Sequence, residues 1–129
     1  MTKEDWDKVD KSMQSPYGRS ELLCDGYLVT IDTRICDRRL QSMIYVNGHW
    51  KGAWQLEDCE ERRRFFRPVR RLVWKPSILK GASKKTLKSM GIDPKETRLS
   101  YSPMWTSFRP LKAHFIKNNT SIELAPEAS

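Results

Sequence analysis

The fold is indicated first by the stretch LLCDGYLVTIDT at residues 22–33. Asp25-Gly26 lies between two apolar runs there, and this dipeptide tolerates the positive φ angles that a two-residue hairpin turn needs. After the turn, apolar and polar residues alternate, which is the period of a strand with one buried face. The stretch therefore predicts an antiparallel hairpin.

A second stretch, LQSMIYVNGHWKGAW at residues 40–54, repeats this pattern around Asn47-Gly48. Two successive hairpins predict a four-stranded antiparallel meander that buries one face. The fourth strand is expected to follow the turn, from His49 onward.

Helical patterns flank the predicted meander on both sides. Near the N-terminus, Trp6, Val9 and Met13 form a narrow apolar stripe after Thr2, which is a plausible N-cap. Helices are predicted at residues 2–15, 57–67 and 76–91 and from Ser107 onward, with further strands at residues 69–74 and 97–105. The expected fold class is α+β, an antiparallel β-meander of four to five strands with three to four helices packed on it.

The length of 129 residues predicts a single α+β domain over residues 1–124, followed by a flexible tail at residues 125–129. No apolar run approaches the ~18–20 residues of a membrane span, and the N-terminus is charged, so a cytoplasmic protein is expected. The three cysteines form no C-x-x-C pair, and we expect reduced thiols, no metal and no cofactor.

Charge is distributed unevenly along the chain. Residues 1–60 carry 8 basic and 11 acidic side chains, whereas residues 61–129 carry 16 basic and 5 acidic ones. The segment from Arg62 to Lys88 contains eleven Lys or Arg residues and no carboxylate. Such a segment cannot neutralise itself locally, so it requires either acidic residues from the first half or an external polyanion.

The strongest chemical signal is RRRFFRPVRRLVWK at residues 62–75. Arginine presents a planar fork of donors to phosphate, and aromatic rings stack on bases. The alternative is that the apolar residues of this segment form a core and only the arginines are exposed. If the helix predicted at residues 57–67 is correct, Arg63, Arg67 and Arg70 lie approximately on one side of it. They could then contact a row of phosphates.

A second aromatic and basic cluster, YSPMWTSFRPLKAHFIKNN, spans residues 101–119. Ser107 precedes a predicted helix, where it could cap the helix or help to bind a phosphate. His114 lies on the apolar side of that helix and is expected to be packed rather than to act as a general base.

Motifs for catalysis are missing from the sequence. There is no glycine-rich phosphate loop and no nucleophile and base at a diagnostic spacing. A metal-dependent nuclease would need carboxylates that converge in space, and the candidates are Asp25, Asp32 and Asp37. We therefore expect a protein without enzymatic activity.

Three segments carry a resemblance: YVNGHWKGAW, CEERRRFFRPVRR and YSPMWTSFRPLKAHFIKNNTSIEL. In these segments the chain resembles a group of small basic proteins of unknown function that are encoded in bacteriophages and prophages. The resemblance implies a bacterial host cell as the setting. Phage accessory proteins of this size often bind nucleic acid or disable host defences such as CRISPR effectors.

The leading hypothesis is therefore binding of DNA or RNA through phosphates, mostly without sequence choice. The alternatives are a phage anti-defence inhibitor, which binds a bacterial nucleoprotein complex or an acidic enzyme, and a small metal-dependent nuclease. One basic face is expected from residues 62–88, with help from Arg98 and Lys117. The predicted binding residues are Arg62, Arg63, Arg64, Arg67, Arg70, Arg71, Trp74, Lys75, Lys84, Lys85, Lys88, Trp105, Arg109 and Lys112.

Overall fold

Three successive strands form the centre of a five-stranded antiparallel sheet in the computed structural model, which describes residues 1–126. They are β1 (Arg19–Cys24), β2 (Tyr27–Cys36) and β3 (Arg39–Val46). The turn between β1 and β2 is Asp25-Gly26, with φ angles of 47° and 89°, as the sequence predicts. The α+β class and the antiparallel meander are thereby confirmed.

The two edges of this sheet come from distant parts of the chain. The order is β6-β3-β2-β1-β7, where β6 is Met104–Trp105 and β7 is Ile122–Leu124. The predicted fourth meander strand after Asn47-Gly48 is wrong: the turn forms, but pairing ends at a single bridge between Val46 and His49. Part of the outer edge of β3 is instead occupied by β6.

The hairpin between β2 and β3 turns at Asp37-Arg38, where φ is 52° and 65°. Left-handed backbone is uncommon for arginine, and no glycine lies at this turn. Sequence patterns for hairpins therefore miss it.

One face of the sheet is buried, as predicted. Val29, Ile31, Ile44 and Val46 are at most 2% exposed, and they alternate with more exposed residues along β2 and β3. Burial of these side chains under helices removes apolar surface from water and stabilises the sheet.

Helix α1 (Lys3–Met13) covers this buried face. The hydroxyl of Thr2 accepts from the Asp5 N–H and the Asp5 carboxylate accepts from the Thr2 N–H, which completes a capping box. Trp6, Val9 and Met13 are all buried, so the predicted helix and its apolar stripe are confirmed.

Glycine at position 18 is required by close packing. A methyl group on Gly18 would overlap the backbone carbonyl of Ser12, which is part of α1 and cannot move freely. We predict that Gly18→Ala lowers the free energy of unfolding by about 1–3 kcal/mol. Urea denaturation measures this, with Gly52→Ala as a control because a methyl group at Gly52 meets open space. Equal stability of the two variants would contradict the packing argument.

An aromatic cluster joins α3 (Glu60–Phe65) to α6 (Phe108–Asn118). The rings of Phe65 and Phe115 lie 5.5 Å apart edge to face, and the ring of Trp105 lies 6.4 Å from that of Phe115. This geometry is favourable for aromatic pairs and fixes the two helices against the sheet. A short helix α2 (Ala53–Leu56) precedes α3.

The chain divides into two compact units. The main unit comprises Met1–Arg67 and the chain from Tyr101 onward, and the second comprises Pro68–Ser100, which we call the basic unit. The prediction of one domain over residues 1–124 stays a prediction.

Pairing with β1 extends beyond β7, because the Ala125 N–H donates to the Glu21 carbonyl at 2.9 Å. The first residue of the predicted tail at 125–129 is therefore hydrogen-bonded to the sheet. Its residues 127–129 lie outside the described residues.

The basic unit contains most of a two-stranded sheet of β4 (Arg67–Leu72) and β5 (Thr97–Ser102) and two short helices, α4 (Pro76–Leu79) and α5 (Lys84–Ser89). The single helix predicted at residues 76–91 is wrong. Gly81 adopts φ +87° between the two short helices, a conformation that a helix cannot contain.

Over residues 1–126, no helix is long and apolar enough to cross a membrane.

Candidate nucleic-acid interface

Arg64 in α3 is an internal ion-pair partner. Its Nη1 lies 2.6 Å from Asp25 Oδ2 and its Nη2 lies 2.6 Å from Glu60 Oε1, and the side chain is 23% exposed. Arg64 is one of the predicted binding residues, but the β1–β2 turn supplies it with an internal carboxylate. Arg64 is therefore not available to an external polyanion.

The same carboxylate fastens the C-terminal segment. Asp25 accepts hydrogen bonds from the backbone N–H groups of Thr120 and Ser121, each at 2.8 Å, in addition to the bond from Arg64. These hydrogen bonds lower the pKa of Asp25, and the two from backbone N–H groups have the largest effect. Hydrogen bonds from Arg64 and Tyr27 also lower the pKa of Glu60. Asp25 thus links three parts of the main unit that are distant in sequence.

Arg62 and Arg63 also have an acidic neighbour. The Nε atoms lie 3.6 Å and 3.3 Å from Asp58 Oδ1. Arg62 is 17% exposed, and its guanidinium lies 4.6 Å from the centre of the Tyr101 ring. Arg63 is 59% exposed and keeps donors free for a ligand. Of the three arginines in α3, Arg63 is thus the one that a ligand can reach readily.

The predicted row of Arg63, Arg67 and Arg70 along one helix is wrong. Helix α3 ends at Phe65, and Arg67 and Arg70 lie in strand β4. The residue before a proline is disfavoured in helical conformation, and Pro68 follows Arg67. Arg67 donates from Nε to the Met104 carbonyl at 3.1 Å.

The aromatic residues of the predicted sites divide between core and surface. Phe65 and Phe66 are fully buried, so the core interpretation holds for them. Trp105 is 2% exposed and donates from Nε1 to the Phe65 carbonyl at 3.0 Å, which excludes it as a binding residue. Trp74, in the basic unit, is half-buried.

The second predicted cluster, in α6, contributes little. Arg109 is exposed, whereas Lys112 is half-buried with its Nζ 5.6 Å from the centre of the Trp6 ring. The Ser107 side chain makes no capping hydrogen bond. His114 is half-buried; its Nε2 donates to the Arg63 carbonyl at 3.0 Å, and burial lowers its pKa. The packed interpretation of His114 is thereby confirmed.

The basic unit concentrates the charge of the protein. It holds nine Lys or Arg residues against Asp93 and Glu96, a net charge of +7 out of +8 for the whole chain. All nine basic side chains are exposed, and none lies within 4.0 Å of the carboxylates of Asp93 or Glu96 in the same unit. They are Arg70, Arg71, Lys75, Lys80, Lys84, Lys85, Lys88, Lys95 and Arg98.

Local structure spreads these charges within the basic unit. Arg70 and Arg71 are adjacent in a strand, so they project to opposite faces of the two-stranded sheet. The Ser83 hydroxyl accepts from the Thr86 N–H at 3.1 Å and caps α5, which places Lys84 and Lys88 one turn apart on the same side.

The basic unit has very little core. Among residues 68–100, all of which are described, Leu87 alone is buried. Five large apolar side chains are instead exposed by 37–67% of their area: Leu72, Val73, Ile78, Met90 and Leu99. Isolated two-stranded sheets are marginally stable, so this unit has little intrinsic stability of its own.

The candidate carboxylates for a nuclease are not brought together. Asp25 is bonded to Arg64, and Asp32 lies 3.3 Å from Arg34. Across residues 1–126, no three His, Cys, Asp or Glu side chains form a group that could hold a metal ion. The three cysteines are free, and burial raises the pKa of the Cys24 thiol to about 12.

The Asp25–Arg64 pair has no signal in the sequence. Asp25-Gly26 identifies a turn, but nothing in the pattern indicates a partner 39 positions away. The basic unit, in contrast, could be found from the missing acidic residues between Arg62 and Lys88.

In comparisons with known proteins, the chain matches no protein-family model, no curated protein and no solved structure.

Proposed function

We propose that the protein binds nucleic acid, DNA or RNA, without catalysis and through phosphate contacts of the basic unit. The observation that supports this most strongly is the net charge of +7 on Pro68–Ser100, with all nine cations exposed and none paired with Asp93 or Glu96 of the same unit. Uncompensated like charges raise the free energy of a compact unit. A polyanion removes this repulsion and releases its own condensed counter-ions.

The composition of the basic unit favours phosphate contacts over base contacts. Six of its nine cations are lysines, which act as point charges toward phosphate, and Arg70, Arg71 and Arg98 add planar donor forks. Phosphate contacts carry no sequence information, so we expect binding with little sequence choice. Arg63 in the main unit offers a further exposed donor.

A salt titration tests this proposal. With roughly six phosphate contacts, the logarithm of the affinity for duplex DNA should fall with a slope of about −5 against the logarithm of the salt concentration. Fluorescence anisotropy with a labelled duplex measures the slope. Undetectable binding at low salt, or an affinity that salt leaves unchanged, would contradict the proposal.

A protein target is the second candidate, and the exposed apolar side chains of the basic unit favour it. Ile78 and Met90 are 67% and 66% exposed, and such residues suit a protein interface better than a phosphate backbone. This fits the proposal of a phage anti-defence inhibitor of a bacterial nucleoprotein complex or enzyme. A bacterial protein that is captured after nuclease treatment by the native chain, but not by Ile78→Ser/Met90→Ser, would favour this function. Capture that nuclease abolishes would favour nucleic acid.

A further inference from the structure

Tyr17 is an exposed aromatic residue in an unfavourable backbone conformation. Its φ is 64°, and its side chain is 76% exposed. Left-handed backbone is costly for a tyrosine, and such strain persists only where the surroundings impose it. The Tyr17 N–H donates to the Thr33 carbonyl at 2.9 Å, and the Thr33 N–H donates to the Gly18 carbonyl at 2.8 Å. The turn is therefore fastened to β2, and the ring is held in solvent.

An arginine holds this ring in place. The Arg34 guanidinium lies 5.1 Å from the centre of the Tyr17 ring, and its Nε lies 3.3 Å from Asp32 Oδ2. The ion pair fixes the guanidinium, and the guanidinium in turn orients the ring. The result is a preorganised aromatic surface.

Two further arginines lie at the adjacent hairpin end. Arg38 is in the left-handed turn, and Arg39 pairs with Cys36 across the strands. Residues two apart in a strand share a face, so Arg39 lies on the same face as Arg34, about 7 Å further along. Arg38 and Arg39 are both exposed, and neither forms an ion pair with a carboxylate of residues 1–126.

We propose that Tyr17, Arg34, Arg38 and Arg39 form a platform for single-stranded nucleic acid, which we call the tyrosine platform. An unpaired base stacks on the face of the Tyr17 ring opposite Arg34, and the neighbouring phosphates contact Arg38 and Arg39. A rigid, exposed ring beside unpaired arginines is the combination that single-strand-binding proteins use. A base inside a duplex has no free face for the ring, so the platform distinguishes single strands from duplexes. This inference goes beyond the proposed function, because it concerns bases and a different unit.

The test uses the full chain and a short oligo(dT) that contains one 2-aminopurine, whose fluorescence falls when it stacks. We expect quenching with the native protein and with Tyr17→Phe, which keeps the ring. Tyr17→Ala should lose the quenching and about tenfold in single-strand affinity, with unchanged affinity for duplex. Arg38→Ala/Arg39→Ala should reduce the salt slope on the single strand by about 1.4. Leu56→Ala, which alters another highly exposed side chain, should change nothing.

Two results would overturn the platform. One is an absence of quenching by the native protein while the oligonucleotide is bound, and the other is unchanged binding by Tyr17→Ala, which is also the outcome if the ring serves a protein partner. The quadruple variant Arg70→Ala/Arg71→Ala/Lys84→Ala/Lys85→Ala separates this inference from the proposed function. At saturating oligonucleotide it should still quench, even though its duplex binding is weakened about 100- to 1000-fold.

Discussion

Replacement of Arg70, Arg71, Lys84 and Lys85 together by alanine should weaken binding to duplex DNA about 100- to 1000-fold at low salt. Each of these side chains is exposed and forms no ion pair within the basic unit, so each can neutralise one phosphate. Removal of four phosphate contacts should also make the salt slope less steep by about 3.5. Fluorescence anisotropy over a series of salt concentrations measures both quantities.

A matched control separates the position of the charge from its amount. Lys3, Lys8, Lys11 and Lys51 are exposed and lie in the main unit. Their joint replacement by alanine removes the same number of positive charges as the first quadruple variant. We expect an affinity within about threefold of the native protein, since only long-range attraction changes. Equal losses from the two quadruple variants would show that net charge, not the basic unit, determines binding.

Asp25→Asn should destabilise the main unit strongly. The substitution keeps the left-handed turn, because asparagine tolerates this conformation, but it removes the charge that Arg64 faces. One carboxylate oxygen becomes a donor next to the donors of Arg64 or of Thr120 and Ser121. We expect the midpoint of thermal unfolding to fall by roughly 5–10 °C. Differential scanning calorimetry at neutral pH measures the change.

The acid dependence of this effect has a defined sign. The pKa of Asp25 is lowered in the folded state, so its contribution to stability is complete above the ordinary pKa of an unfolded aspartate, about 3.9. The contribution is lost as the pH falls through the lowered value. The stability difference between the native protein and Asp25→Asn should therefore shrink in acid. Asp37→Asn is the control, since Asp37 also lies in a left-handed turn but is exposed and forms no ion pair with the described residues. A Tm for Asp37→Asn as low as that for Asp25→Asn would contradict this account.

Local signals predict the elements that depend on local physics. The cap at Thr2 and the turn at Asp25-Gly26 appear where the sequence places them, since capping and positive φ are properties of neighbouring residues. The Asn47-Gly48 turn forms as well, but its second strand does not. The edge position beside Ser42 and Met43 is taken by β6, which comes from a distant part of the chain. Local sequence patterns do not indicate which of two distant segments pairs with the edge of β3.

The candidate site shows the same division. The excess of basic residues between Arg62 and Lys88 is visible in composition, and the structure places seven of these eleven residues in the basic unit. Which arginines are neutralised depends on Asp25 and Asp58, whose positions the fold determines. The sequence contains no signal for Tyr17 either, because its exposure and its contact with Arg34 arise only when the turn is hydrogen-bonded to β2.

Hydrogen–deuterium exchange of the full chain, with and without a duplex DNA of about 20 base pairs at about 50 mM salt, tests the central claim most directly. The basic unit has one buried side chain, so its amides should exchange fast in the free protein. Duplex DNA should slow exchange within residues 68–100 and leave α1 unchanged. Unaltered exchange in residues 68–100 under conditions where the duplex is bound would contradict the claim that this unit is the nucleic-acid-binding surface.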